Sequence, residues 1–275
     1  ALTSLMALPV IAQDSTPAVG DILQGINMFT PEEGDPAYKV KANEKYGTQW
    51  GVDMAYGLWN TEKVSDVKRH NNLALLHAQL NQRLIEDKAN GGTWLRVEFS
   101  GSWGLDRESA QSDTFFTEAY ATASGLHADA MGPHEGIFPE VALMQYFAGK
   151  RACLIAGMVN LTNYFDAVSI ANDSFSSFTN DGFVNSTILP LADSNVGGIL
   201  QVELNRNNYM MVAVSRTGCD SGYNPFNSDH GDGYAVVGEY GHIFADGAAT
   251  LRVNPFYTST DVDMSRALNI PPASL

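Results

Sequence analysis

Thr93-Trp94-Leu95-Arg96-Val97-Glu98-Phe99-Ser100 decides the fold class. Leu95, Val97 and Phe99 alternate with Arg96, Glu98 and Ser100. A period of two puts the apolar set on one face of an extended strand and the charged set on the other. A helix would scatter both sets around its axis. Ser102-Trp103-Gly104 then carries the run into a turn.

The same alternation recurs on both sides. In Trp50-Gly51-Val52-Asp53-Met54-Ala55-Tyr56-Gly57-Leu58 every even position is large and apolar. Val141, Leu143 and Gln145 alternate with Ala142, Met144 and Tyr146, and Gly149-Lys150 is read as a two-residue reversal into Ala152–Met158. Ile199–Leu204 turns through Asn205-Arg206-Asn207-Asn208 into Tyr209–Arg216. Tyr234–Ile243 and Ala248–Tyr257 form a further hairpin around Asp246-Gly247. Residues 115–125 are a weaker strand candidate. Residues 73–86 fit two periods: Leu73, Leu76, Leu80 and Leu84 follow a helix, and local propensity agrees. A continuous sheet demands a strand there, and strand is the expectation. This makes about ten strands, with short turns alternating with longer polar loops. A soluble sandwich has short alternating strands too. Charged faces such as Arg96/Glu98 and Gln201/Glu203 favour a wet lumen. Aromatics near strand ends (Trp50, Trp59, Trp94, Tyr146, Tyr209, Phe256, Tyr257) resemble an interfacial girdle, although core packing explains aromatics equally well.

The first twelve residues, Ala1–Ala12, are apolar and end in Val10 and Ala12 before Gln13-Asp14. They read as a signal-peptide remnant, which implies export. Residues 13–47 contain Pro17, Pro31 and Pro36 and read as a leader or periplasmic segment with room for a short helix. The barrel portion is then 48–275. No stretch of 18 apolar residues follows, so a membrane-spanning helix is not expected. With 16 basic and 31 acidic residues the formal net charge is -15, which repels phosphate backbones and argues against nucleic acid as a partner. Acidic external loops that bind divalent cations would carry such a charge, as would any solvated acidic surface.

Catalytic patterns are missing. The six histidines show no His-x-x-x-His spacing, and there is no Gly-x-Ser-x-Gly elbow, P-loop or dinucleotide-binding glycine motif. The two cysteines, Cys153 and Cys219, have no metal-ligand spacing. The Asp- and Gly-rich stretch 228–233 falls short of a calcium loop. Neither enzyme activity, nor a cofactor, nor a metal is expected.

Several stretches together resemble the carbohydrate-selective porins, the OprB-like group. They are Trp50-Gly51-Val52, Gly91–Glu98, Leu154-Ile155-Ala156-Gly157-Met158-Val159-Asn160 with Tyr164-Phe165-Asp166, Ala171-Asn172, Phe183-Val184-Asn185 and Gly238-Glu239-Tyr240-Gly241. The resemblance implies an all-β fold, an antiparallel transmembrane β-barrel of about sixteen strands in the outer membrane. Such barrels are often homotrimers, and they pass monosaccharides by diffusion. Those strands need more than 275 residues, and Asn269–Leu275 is not a closing strand, so an incomplete chain is expected.

A pore that favours sugars needs convergent donors and acceptors. The lumen candidates are Asp53, Arg96, Glu98, Glu203, Glu239 and Arg252, each flanked by apolar neighbours in a strand-like run. Arg216 shares parity with Met210, Val212 and Val214 and suits the rim. The long irregular stretch 160–195 either packs outside or folds inward. In the inward case Phe165, Phe175, Phe178 and Phe183 anchor it, and Asp166 reaches the opening. The expected partners are small hydrophilic solutes and outer-membrane lipid. The rivals are a soluble exported carbohydrate-binding β-domain, a barrel esterase using Ser100 or Ser215, and a plugged structural barrel.

Overall fold

The computed structural model describes residues 4–9, 36–60, 70–105, 134–165, 194–217, 233–244 and 249–259. They build one antiparallel sheet and a single α-helix. In chain order the elements are β1 (Ser4–Pro9), α1 (Ala37–Tyr46), β2 (Thr48–Asn60), β3 (His70–Ile85), β4 (Thr93–Gly104) and β5 (His134–Phe147). There follow β6 (Ala152–Val159), a 3-10 turn (Leu161–Asn163), β7 (Asn195–Asn205), β8 (Asn208–Arg216), β9 (Tyr234–Phe244), β10 (Ala249–Asn254) and β11 (Phe256–Thr258). The sheet order is β1-β10-β9-β8-β7-β6-β5-β4-β3-β2, and β11 also pairs with β9. From β2 to β10 every strand lies beside its sequence neighbour, which makes an up-and-down meander. Among the described residues no pairing joins β1 to β2, and the sheet is open.

β10 and β11 share one register on β9, since Val253 faces Tyr240 and Phe256 faces Val237. They are one strand interrupted at Pro255, which has no N–H to give. Its carbonyl still accepts from Gly238 N at 2.8 Å, and the ladder continues across the break. Of the stretch 73–86, ambiguous in sequence, all but Glu86 lies in β3, the longest strand at 16 residues. Thirteen cross-strand pairs with β2 override the helical spacing of its leucines. The segment set aside as a leader remnant supplies β1, paired with β10 from Ser4–Asn254 to Pro9–Ala249. The helix allowed for in 13–47 is α1, ended by Gly47 in a left-handed conformation (φ 64°). The weaker candidate at 115–125 lies outside the described residues.

Antiparallel order puts the connections 86–92, 148–151, 206–207 and 245–248 at one end, and 61–69, 105–133, 160–194 and 217–233 at the other. Short and long connections are therefore segregated. The reversal between β5 and β6 is longer than a two-residue turn. Pairing stops at Phe147–Ala152, and Ala148, Gly149 and Lys150 all take positive φ between them. Asn90 steadies this turn by accepting from Gly149 N at 3.0 Å. The turn expected through Asn205–Asn208 between β7 and β8 is present and is tighter than that stretch, since Asn205 pairs with Asn208 and only Arg206 and Asn207 lie between.

Side chains divide by parity. One face exposes Val52, Met54, Leu143, Leu154, Met210, Val212 and Val214. The opposite face buries Met144, Ile155, Ile199, Met211, Ala213 and Val237, together with charged groups. Three of the aromatics compared with a girdle, Trp94, Tyr146 and Tyr209, belong to this buried face. Their even or odd position in the alternation turns them inward. Trp50 and Tyr257 are exposed.

Candidate functional site

Arg96 and Glu98 stand on the buried face of β4, at 1% and 5% exposure. Glu140 of β5 lies directly opposite Glu98 in the ladder and is fully buried. Two carboxylates in register repel each other. Arg96 lies between them, with Nε 3.2 Å from Glu140 Oε2 and Nη2 3.9 Å from Glu98 Oε2. Gln79 of β3 accepts from Arg96 Nη2 at 3.5 Å. His77, also on β3, puts Nε2 2.9 Å from Glu98 Oε1. The set therefore spans three adjacent strands.

A β-bulge makes this geometry. Glu98 pairs with Glu140 but Ser100 pairs with Ile137, so β5 has one extra residue opposite Phe99. Pro139 occupies the irregularity, where its missing N–H costs no ladder bond. Phe138 packs edge-on to Phe99 at 5.3 Å.

The chain leaving β6 turns inward over this group. Leu161, Tyr164 and Phe165 are buried against the inner face. Asn163 Nδ2 donates to Glu98 Oε2 at 2.8 Å and to Glu140 Oε2 at 3.2 Å. The Tyr164 hydroxyl donates to Glu140 Oε1. The Arg96 guanidinium lies 5.9 Å from the centre of the Tyr164 ring. Burial, then the nearby Glu140 charge, pushes the Tyr164 phenol well above its ordinary value and keeps it a donor. Asn160 accepts from Thr162 N at 3.1 Å and starts the 3-10 turn that aims these residues.

A second polar group sits on β8, β9 and β10. Tyr209 donates to Glu239 Oε1 at 2.6 Å, and Asn254 donates to Glu239 Oε2 at 2.9 Å. Arg252 Nε is 3.8 Å from Glu239 Oε1. The Tyr209 ring lies over Gly241, where a Cβ would come within 2.1 Å of it.

The structure thus joins Arg96 to Glu98 and Glu239 to Arg252, in two groups separated by β6 and β7 in the sheet. Asp53 shares the inner parity of β2 but is exposed, and Glu203 is half-buried near the β7–β8 turn. Both stand outside these groups. Asp166 lies outside the described residues, as do Phe175, Phe178 and Phe183, although Phe165 is fully buried. Arg96 and Glu98 were expected to meet a wet lumen; the inward segment covers them instead. The reading from sequence missed Glu140, His77, Asn163, Tyr164 and Tyr209. Glu140 has the parity of Ala142 and Met144, but the alternation read from sequence begins at Val141, one residue after it. Cys153 is a free, buried thiol. Among the described residues no cluster of metal-ligating side chains occurs. No helix among them is long and apolar enough to cross a membrane, which leaves strands unaddressed.

No protein-family model matches the chain. No solved structure matches it either. An uncharacterized protein of Aquifex aeolicus (strain VF5) is 37% identical to it over 68 residues. That stretch is 24% of this chain and only 22% of the Aquifex protein, so the likeness is local.

Proposed function

We propose that this chain forms the wall of an outer-membrane β-barrel pore that passes small hydrophilic solutes, sugars foremost, by passive diffusion. One observation carries the reading: the face of the sheet left uncovered is apolar, where a water-soluble domain would be polar. Its exposed face is apolar strand after strand, and its covered face holds Arg96, Glu98, Glu140 and Glu239. Contiguous exposed apolar surface on this scale calls for a non-aqueous neighbour. Hydrocarbon satisfies the uncovered face, and the covered face keeps its charged groups inside the barrel, away from lipid. Two further features agree. Aromatics stand exposed at both ends of the outer face, Trp50, Phe147 and Phe244 at the short-turn end and Trp103, Phe138 and Tyr257 at the other. Short turns collect at one end and long connections at the other, as in outer-membrane barrels. The resemblance to carbohydrate-selective porins points to sugars as the solute and to a barrel closed by strands additional to those described.

In this reading the inward segment narrows the lumen, and the buried Arg96 and Glu239 groups hold that segment and the wall in place around the path of a hydroxylated solute. A second reading has its own support. The inner face is largely apolar from β5 to β8, through Met144, Ile155, Ile199 and Met211, and Leu161 and Phe165 pack against it. A plugged barrel with a structural role would look the same there.

Liposome swelling separates them. Proteoliposomes should swell in arabinose and glucose and progressively less in di- and trisaccharides. Insertion without swelling in any sugar favours the plugged barrel. A protein that stays monomeric and folded in plain buffer, without detergent, defeats both readings.

A further inference from the structure

We propose that α1 and the short-turn end of the sheet form a docking surface for the headgroups of anionic phospholipid. The inference rests on the membrane reading above and adds to it a lipid preference at one end of the sheet. α1 does not belong to the core, because none of its residues is buried. It packs at the start of β2, against the outer and not the inner side. Tyr38 stacks on Trp50 with ring centroids 6.1 Å apart, and Lys39 Nζ lies 4.7 Å from the centre of the Trp50 ring. Trp50 has the parity of Val52 and Met54, which are exposed on the apolar face. The helix therefore lies where that face ends at the short turns. Tyr38 and Tyr46 are each 60% exposed there, and Lys45 Nζ sits 4.9 Å from the Tyr46 ring centre.

Charge is what selects the partner. In a chain of net charge -15, α1 carries Lys39, Lys41 and Lys45 against Glu44 alone. The turns at the same end add exposed Lys88, Lys150, Arg151 and Arg206 against Glu86 and Asp87. At the opposite end the connections 61–69, 105–133, 160–194 and 217–233 together carry fourteen Asp or Glu against four Lys or Arg. Basic groups on aromatic platforms, continuous with an apolar face, fit the boundary where acyl chains meet phosphate. There ammonium groups pair with headgroup charge, and Tyr and Trp rings occupy the interface. Each lysine near an anionic surface contributes about a fivefold preference.

The test uses the full chain, wild type and a K39Q/K41Q/K45Q variant, in vesicles of equal phosphatidylcholine and phosphatidylglycerol. After extraction in mild detergent, the retained lipids are counted by native mass spectrometry. The wild type should retain phosphatidylglycerol at least about fivefold over phosphatidylcholine. The triple variant should approach the bulk ratio, while a K88Q/K150Q variant keeps much of the preference. Equal retention of the two lipids by wild type and triple variant, with both inserted and protease-resistant, overturns the proposal and leaves the membrane reading standing. Loss of the wild-type preference on adding 10 mM inorganic phosphate at constant ionic strength also overturns it, since the surface would then be a simple anion site. Failure of the wild type to insert into vesicles with or without phosphatidylglycerol removes the membrane reading, and the lipid proposal with it.

Discussion

Replacing Arg96 by Met should destabilise the folded protein by about 3–5 kcal/mol, the usual cost of removing one partner from a buried ion pair. Arg96 is 1% exposed and stands 3.2 Å from Glu140 and 3.9 Å from Glu98. At an effective dielectric near 20 those separations correspond to attractions of about 5 and about 4 kcal/mol. Taking the guanidinium out of water offsets several kcal/mol of that sum, so the pair terms far exceed the net gain. Methionine fills much of the volume, and what remains is two carboxylates in register, buried without their counter-charge. The assay is urea unfolding of detergent-folded protein, followed by tryptophan fluorescence. The combined variant R96M/E98Q/E140Q should recover most of the loss, because neutral amides can hydrogen-bond to one another and to Asn163 and Tyr164. A single-variant loss below about 1 kcal/mol would show the network to be solvated. A triple variant no better than the single would show that Arg96 acts by packing and not by charge. Either result refutes the reasoning.

Tyr164→Phe removes the hydroxyl that holds the inward segment to Glu140 and should cost about 1.5–3 kcal/mol, the range for a hydrogen bond to a charged group. Proteolysis within 160–194 should quicken while the sheet stays intact, and unchanged cleavage would mean that Leu161 and Phe165 suffice to hold it. Val212→Lys puts an ammonium on the middle of the exposed face and should lower stability in bilayers by about 2–4 kcal/mol. A neutral effect would indicate that this face meets water. Gly241→Val drives a side chain into the Tyr209 ring and should destabilise by about 1–3 kcal/mol. Adding Tyr209→Leu should restore part of that, and a double variant as unstable as the single would locate the strain in the backbone.

Much of the fold can be read in the chain because a strand writes its two faces into alternate residues. Leu95/Arg96/Val97/Glu98 shows its parity without any partner, whereas Met210/Met211/Val212/Ala213, apolar throughout, acquires its two faces only from the sheet. The antiparallel meander follows from turn signals such as Asn205–Asn208. Alternation says which residues share a face but not what covers that face. The sequence therefore marked Arg96, Glu98, Glu239 and Arg252 as inward, toward a wet lumen, and could not show that protein would cover Arg96 and Glu98.

Tertiary structure decided the rest. Only cross-strand pairing overrides the helical spacing of Leu73, Leu76, Leu80 and Leu84 in β3. Only the bulge at Pro139 brings Glu140 opposite Glu98, and only the inward turn after β6 brings Asn163 and Tyr164 onto those carboxylates, from 65 and 24 residues away along the chain. Alternation is local, fixed by how one strand is pleated. A charge network depends on register and on chain reversals, and these are settled only when distant segments meet.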